Sequence, residues 1–198
     1  MRTAGASARI DAVVIGASAG GIEALSVLLP VLLPGFRAAV LVVVHLPRER
    51  PSLLADIFTQ KCAVPVIEAV DKEPVMPGTI AFAPPDYHLL VDEGPQLSLS
   101  ADALVNFSRP SVDVLFESAA DVYGTHLMGI ILTGGNSDGA AGLEAIRRVG
   151  GMAVVQQPET AQTSLMPASA LQRVPDAQAL PLDGIATLLR TLNPGDRP

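Results

Sequence analysis

The chain has 198 residues, 49% hydrophobic and 17% charged, enough to bury one substantial core and too few for two full domains. A net charge of −7 argues against nucleic acid or an anionic membrane as the main partner, and an aromatic content of 4% with no Trp against an aromatic-lined binding module. Cys62 is the only cysteine, which rules out an internal disulfide or a cysteine zinc site and makes the cytosol the natural compartment; no apolar run is long enough to span a membrane.

Residues 1–9 are small and polar, carry no secretion signal, and are expected to fray, as are 193–198; between them 10–192 reads as a single domain. The apolar run 11–16 is the first predicted strand, followed by a helix over about 20–33. Residues 38–45 form the second strand and 51–61 the second helix, with Pro51 suited to its first turn. From 64 to 100 the pattern breaks into short strand-like pieces at 65–69, 79–83, 88–91 and 96–100, separated by Pro and Gly. This predicts a hairpin-rich insertion with some antiparallel pairing. Alternation then resumes: a helix at 110–122 with Asp113 near its positive dipole end, a buried strand at 127–133, and a helix at 138–149 stopped by Gly150-Gly151. A strand at 152–156 and helices at 167–174 and 182–192 complete the pattern. Strand–helix alternation of this kind predicts an α/β fold, doubly wound, with a mostly parallel sheet, helices on both faces and the short antiparallel insertion.

The loop after the first strand reads Gly16-Ala17-Ser18-Ala19-Gly20-Gly21. A sharp strand-to-helix turn of small residues raises a serine hydroxyl above the sheet and lets backbone amides crowd around it, while the helix start favours an oxyanion. In an open parallel sheet, reactive groups gather at the carboxyl ends of the strands. Ser18 follows the first strand, His45 ends the second, and Asp138 follows 127–133 through the loop Thr133–Ser137. Ser18 is the expected nucleophile, His45 its base, and Asp138 the group that orients the imidazole; the three are expected to form one hydrogen-bonded chain. Amides of Ala19, Gly20 and Gly135 are the expected oxyanion donors.

Two alternatives weigh against Asp138: a purely structural helix-start carboxylate, and Asp86 as a rival acid. His88 and His126 fail the strand-edge test and read as structural, and the three histidines are not spaced as metal ligands, so neither metal nor cofactor is expected. The order Ser, His, Asp differs from that of ordinary α/β-hydrolases. A phosphate- or nucleotide-binding loop is the competing reading from another class, but GxGxxG spacing is missing and His45 stands where an acidic residue would end the second strand.

Together the stretches 14–21, 43–45, 77–84, 109–116, 129–134, Asp138-Gly139 and Met166-Pro167 resemble, in order, the catalytic domain of CheB chemotaxis protein-glutamate methylesterases. The resemblance implies a serine hydrolase that removes methyl groups from glutamyl γ-methyl esters on the cytoplasmic domain of chemoreceptors, and that also deamidates receptor glutamines. It carries the catalytic roles onto Ser18, His45 and Asp138. Gly135-Asn136 departs from the methionine and glycine usual in the family, and Ala19 replaces a frequent threonine. That departure keeps open a second reading, a weakly active or inactive member that binds receptor or signalling partners. Arg109 is a candidate reader of carboxylates flanking the ester, set against a capping role at the helix start. Because the first strand begins near residue 11, the regulatory receiver domain common in the family is expected to be missing, which leaves the regulator unnamed.

Overall fold

The computed structural model of the chain describes residues 9–46 and 51–193. Seven strands form one parallel sheet: β1 (Ala12–Ala17), β2 (Ala39–Val44), β3 (Val66–Glu68), β4 (Ile80–Phe82), β7 (Leu127–Ile131), β8 (Met152–Gln156) and β9 (Gln178–Leu180), in the order β3-β4-β2-β1-β7-β8-β9. The remaining two, β5 (His88–Asp92) and β6 (Gln96–Ser100), pair as a separate antiparallel hairpin.

Successive side chains of a strand leave on opposite faces, and both faces here are apolar, so each must be covered. Val13 and Ile15 of β1 and Val40 and Val42 of β2 pack with α1 (Gly21–Leu28), α2 (Leu54–Thr59) and α6 (Leu182–Arg190). Their neighbours Val14, Leu41 and Val43 pack with α3 (Val112–Tyr123), α4 (Ala140–Arg148) and α5 (Leu165–Arg173). The expected doubly wound architecture is the one observed.

Two expectations change, and one strand was not expected. The short strands β3 and β4 extend the parallel sheet, with Ile80 aligned on both Val40 and Val66, so among the described residues antiparallel pairing is confined to the 88–100 hairpin, the Pro74–Gln96 bridge against it and the Val105–Ser108 bridge. The Ile80–Phe82 triplet is buried throughout, which suits an inner parallel strand; Pro74, Pro77 and Gly78 lie in the crossover from β3 to β4, while Gly94 and Pro95 sit in the β5–β6 turn. Strand β9 is a three-residue edge with no hydrophobic alternation to reveal it. The ends expected to fray lie outside the described residues except for Arg9 and Asn193. Asn193 is buried, its side chain accepting the Leu33 N–H at 3.1 Å and donating to Val31 O at 3.2 Å. It ties the segment after α6 to the turn after α1.

From β1 the chain winds first toward β2 and later returns, through α3, to β7 on the other side of β1. Loops therefore diverge at the carboxyl ends of β2, β1 and β7, opening a crevice there.

Candidate active site

Three neighbouring strands deliver the three expected side chains. Ala17 is level with Val44 across the β1–β2 ladder, which continues as His45 N–H donates to Ala17 O at 3.1 Å. On the other side Ser18 N–H donates to Thr133 O at 2.9 Å, which extends β1 against the end of β7. Ser18 thus sits between His45 and the loop that carries Asp138. The turn that follows needs Gly20, whose φ of 78° is the left-handed conformation that glycine adopts without penalty. Thr133 closes the loop from behind, its hydroxyl donating to Ala19 O at 2.8 Å and accepting the Thr163 N–H at 2.9 Å. Gly134 passes so close that a Cβ there would lie 2.9 Å from Ser18 Cβ and would overlap the Met166 sulfur.

His45 Nε2 lies 2.8 Å from Asp138 Oδ2. The Asp138 side chain is fully buried, and an isolated buried carboxylate would be prohibitive, but this one accepts four further hydrogen bonds. Val112 N–H (2.6 Å) and Asp113 N–H (3.2 Å), the first amides of α3, point at it; the Ser111 hydroxyl (2.8 Å) and Asn106 Nδ2 (2.9 Å) complete the cradle. Burial alone would raise the carboxyl pKa. The bonds from His45, Asn106, Val112 and Ser111 outweigh it and hold Asp138 below its ordinary range.

A second carboxylate mirrors the first. Asp113 of α3 accepts the Gly142 N–H from the first turn of α4 at 2.6 Å, while Asp138, just before α4, takes the first amides of α3. Each helix start is satisfied by an acid belonging to the other. Asn106 Nδ2 spans both, 2.7 Å from Asp113 and 2.9 Å from Asp138. Burial is the main influence on Asp113 and raises its pKa, with the Gly142 amide opposing and the Asp138 charge adding to the rise.

The expected three-membered chain is only half formed. The imidazole's other nitrogen, Nδ1, faces Asn136 Nδ2 at 3.3 Å, and among the described residues the Ser18 hydroxyl makes no hydrogen bond. The orientation of Asn136 follows from its own bonding, since its Oδ1 accepts the Asp138 N–H at 3.1 Å and so turns Nδ2 toward His45. Asp138 can only accept, and Asn136 Nδ2 can only donate. Nε2 therefore carries the ring proton and Nδ1 is the bare, basic nitrogen.

Arg109 does not hold an open fork toward substrate. Its Nε and Nη2 donate to Asp86 Oδ1 at 3.1 and 2.7 Å, and Nη1 donates to the carbonyls of Ala101 (2.6 Å) and Asp102 (2.8 Å). With its bidentate edge taken by Asp86, the residue braces the loop. The same pairing turns the rival acid Asp86 toward Arg109. Of the expected oxyanion donors, the N–H groups of Ala19, Gly20 and Gly135 make no hydrogen bond among the described residues, which leaves them able to donate to a ligand. His88 is buried, bonded through Nε2 to Ala103 O and accepting the Ser111 N–H on Nδ1, and so it supports the Asp138 cradle from behind. His126 lies at the opposite end of β7, its Nδ1 2.8 Å from Arg9 O.

Asn106, Ser111 and Asn136 escape notice when titratable groups alone are followed along the sequence. A signal for Ser111 exists: a helix starting at Ser111-Val112-Asp113 leaves its first amides without partners, and they demand an acceptor.

A family model described as CheB methylesterase matches residues 13–189. A Leptospira interrogans protein assigned as a protein-glutamate methylesterase/protein-glutamine glutaminase is 44% identical over 183 residues, covering 92% of this chain and 95% of the relative. An Anaeromyxobacter dehalogenans protein-glutamate methylesterase/protein-glutamine glutaminase is 39% identical over 94% of this chain, which spans 54% of that longer relative. The crystal structure of the Thermotoga maritima CheB methylesterase catalytic domain superposes with a TM-score of 0.88 at 32% identity, covering 92% of this chain and 98% of the other.

Proposed function

The chain belongs to the CheB methylesterase family, and we propose on that footing that it hydrolyses glutamyl γ-methyl esters of a chemoreceptor's cytoplasmic segment, with Ser18, His45 and Asp138 carrying the chemistry. The observation that carries this reading is the His45–Asp138 pair, its carboxylate buried and five times hydrogen-bonded, at the strand edge beside Ser18.

Ester binding displaces Asn136 from Nδ1 and turns the Ser18 hydroxyl toward it. Nδ1 takes the hydroxyl proton as the oxygen attacks the ester carbonyl, and Asp138 stabilises the imidazolium through Nε2–H. The oxyanion accepts N–H groups from the Ala19–Gly20 turn and from Gly135; each such donor typically contributes about 10²–10³ in rate. Collapse of the tetrahedral intermediate breaks the bond to the methoxy oxygen, which leaves as methanol with the proton from Nδ1. Water, deprotonated by the same nitrogen, then releases the glutamate. A glutamine side chain follows the same path with ammonia as the leaving group. No described helix is long and apolar enough to cross a membrane, and we place the protein in the cytoplasm with its substrate.

The test is methanol release from a methylated receptor segment. Ser18→Ala and His45→Ala are expected to abolish release while retaining the native circular dichroism spectrum, and undiminished turnover by Ser18→Ala would refute the reading. A family member that only binds receptor would leave Ser18 unlabelled by a fluorophosphonate, whereas an active site of this geometry reacts.

A further inference from the structure

We propose that Asn136 is a latch on the catalytic base: in the free enzyme its side-chain amide occupies the nitrogen that Ser18 must reach, and most of the population stays unreactive until the latch opens. This rests on the methylesterase reading and adds to it a control of the same site by a residue that takes no part in the bond-making steps.

An unprotonated imidazole nitrogen has one lone pair, in the plane of the ring, and accepts one hydrogen bond at a time. At His45 both nitrogens are engaged, Nε2 with Asp138 Oδ2 at 2.8 Å and Nδ1 with Asn136 Nδ2 at 3.3 Å. Nε2 is committed to a fully buried carboxylate, so the Ser18 proton has only Nδ1 to go to. The Ser18 backbone is held beside the base by its N–H bond to Thr133 O at 2.9 Å, yet among the described residues its hydroxyl makes no hydrogen bond. Serine and amide thus compete for one acceptor, and here the amide holds it.

The latch has an anchor and room to move. Asn136 Oδ1 accepts the Asp138 N–H two residues on, at 3.1 Å, the side-chain turn typical of Asn, and this aims Nδ2 at the imidazole. Asp138 therefore orients the base through its carboxylate and the latch through its backbone. The contact to Nδ1 is the longest of the hydrogen bonds around His45 and Asp138, and a pivot about the Oδ1 anchor breaks it alone. Asn136 is only half-buried and Gly135 beside it is exposed; a Cβ on Gly135 would meet nothing nearer than Thr163 Cγ2 at 3.7 Å, so the loop is open on that side. The net worth of an ordinary hydrogen bond corresponds to an excess of closed over open of about two- to tenfold. Reactivity of the free enzyme falls by the fraction that is open.

The test compares Asn136→Ser and Asn136→Gly with wild type. Serine keeps a short oxygen acceptor for the Asp138 N–H but does not reach Nδ1, and glycine removes both contacts. The rates read are fluorophosphonate labelling of Ser18, kcat/KM on p-nitrophenyl acetate, and kcat/KM for methanol release from a methylated receptor segment. Because the latch belongs to the free enzyme, all are expected to rise by one common factor of about two- to tenfold, on receptor through a lower KM with kcat unchanged. A rise of less than twofold in both variants, each folded by circular dichroism, would overturn the latch, and slower labelling would overturn it by making Asn136 a helper of the reaction. The crystal structure of wild type carrying a fluorophosphonate on Ser18 reads the same step without substitution. There Asn136 Nδ2 is expected beyond hydrogen-bond distance of Nδ1, and an amide still seated on Nδ1 would refute the proposal. Methanol released by wild type, with labelling unchanged in the variants, would remove the latch and leave the methylesterase reading standing. If wild type is labelled but releases no methanol, the receptor reading fails while the labelling rates still decide the latch; if Ser18 is labelled in none of the three proteins, both fail.

Discussion

At His45 the two ring nitrogens face opposite kinds of partner, a carboxylate that accepts and an amide that donates. This polarity fixes the tautomer before substrate arrives, and Asn136→Asp should abolish it by setting an acceptor against both nitrogens. A carboxylate at Nδ1 would hold a proton there and remove the basic lone pair. Fluorophosphonate labelling of Ser18 at neutral pH is expected to slow by about 10²–10⁴, the usual worth of a general base, and to recover in part as pH rises. Asp138→Asn, which presents a donor or a poorer acceptor to Nε2, is expected to lower kcat by on the order of 10⁴. The same variant has a signature in stability. Because the folded-state pKa of Asp138 is depressed, its contribution is fully present above the ordinary value of 3.8 and is lost as pH falls through the lower folded value. Asp113 has the opposite sign: its raised pKa means that protonation just above the ordinary carboxylate range stabilises the fold. Urea midpoints measured against pH should therefore show an acid limb in wild type that is shallower in Asp138→Asn.

Between elements, the decisive contact is the close approach of β1 to the start of α3. Gly16 permits it, since a Cβ there would sit inside the Val112 side chain, 2.8 Å from Cγ2 and 3.1 Å from Cβ. The Val112 N–H in turn donates to Asp138 at 2.6 Å, so strand packing and the carboxylate cradle share one residue. Gly16→Ala is expected to destabilise by about 1–3 kcal/mol through overpacking, read from urea unfolding. It should also reduce methanol release beyond the effect of unfolding, because displacing Val112 loosens Asp138. Adding Val112→Ala should recover much of the stability, and a Gly16→Ala variant as stable as wild type would show that β1 and α3 can separate without loss. The exchange of Asp113 and Asp138 between the starts of α3 and α4 belongs to this scale too. It couples the two helices to the site, and no local pattern in either helix announces it, since each acid serves the amides of the other.

Taken as a whole, the molecule is acidic, with a net charge of −7, so an acidic receptor segment would meet like charge. Like-charge repulsion should slow encounter, and kcat/KM on receptor is expected to rise a few-fold between about 0.01 M and about 0.3 M salt as screening shortens the Debye length. Initial rates of methanol release measure this, with p-nitrophenyl acetate as the uncharged control; a steep fall with salt would point instead to a basic contact surface. Strand–helix alternation, the carboxyl-edge rule and the positions of Ser18, His45 and Asp138 were all legible from the chain alone, because each is a local pattern or follows from where a parallel sheet opens. Less legible were β3 and β4, whose three-residue lengths carry too little periodicity to separate a parallel strand from a hairpin. Local sequence thus determined which residues end the strands and which functional groups they carry. Tertiary structure alone decided that Asn136 occupies Nδ1, that Asp86 takes the fork of Arg109, and that His45, Asn106 and the first amide of α3 outweigh burial at Asp138. Those are contacts between segments far apart in the chain, and hydrogen-bond direction and burial exist only once the segments have met.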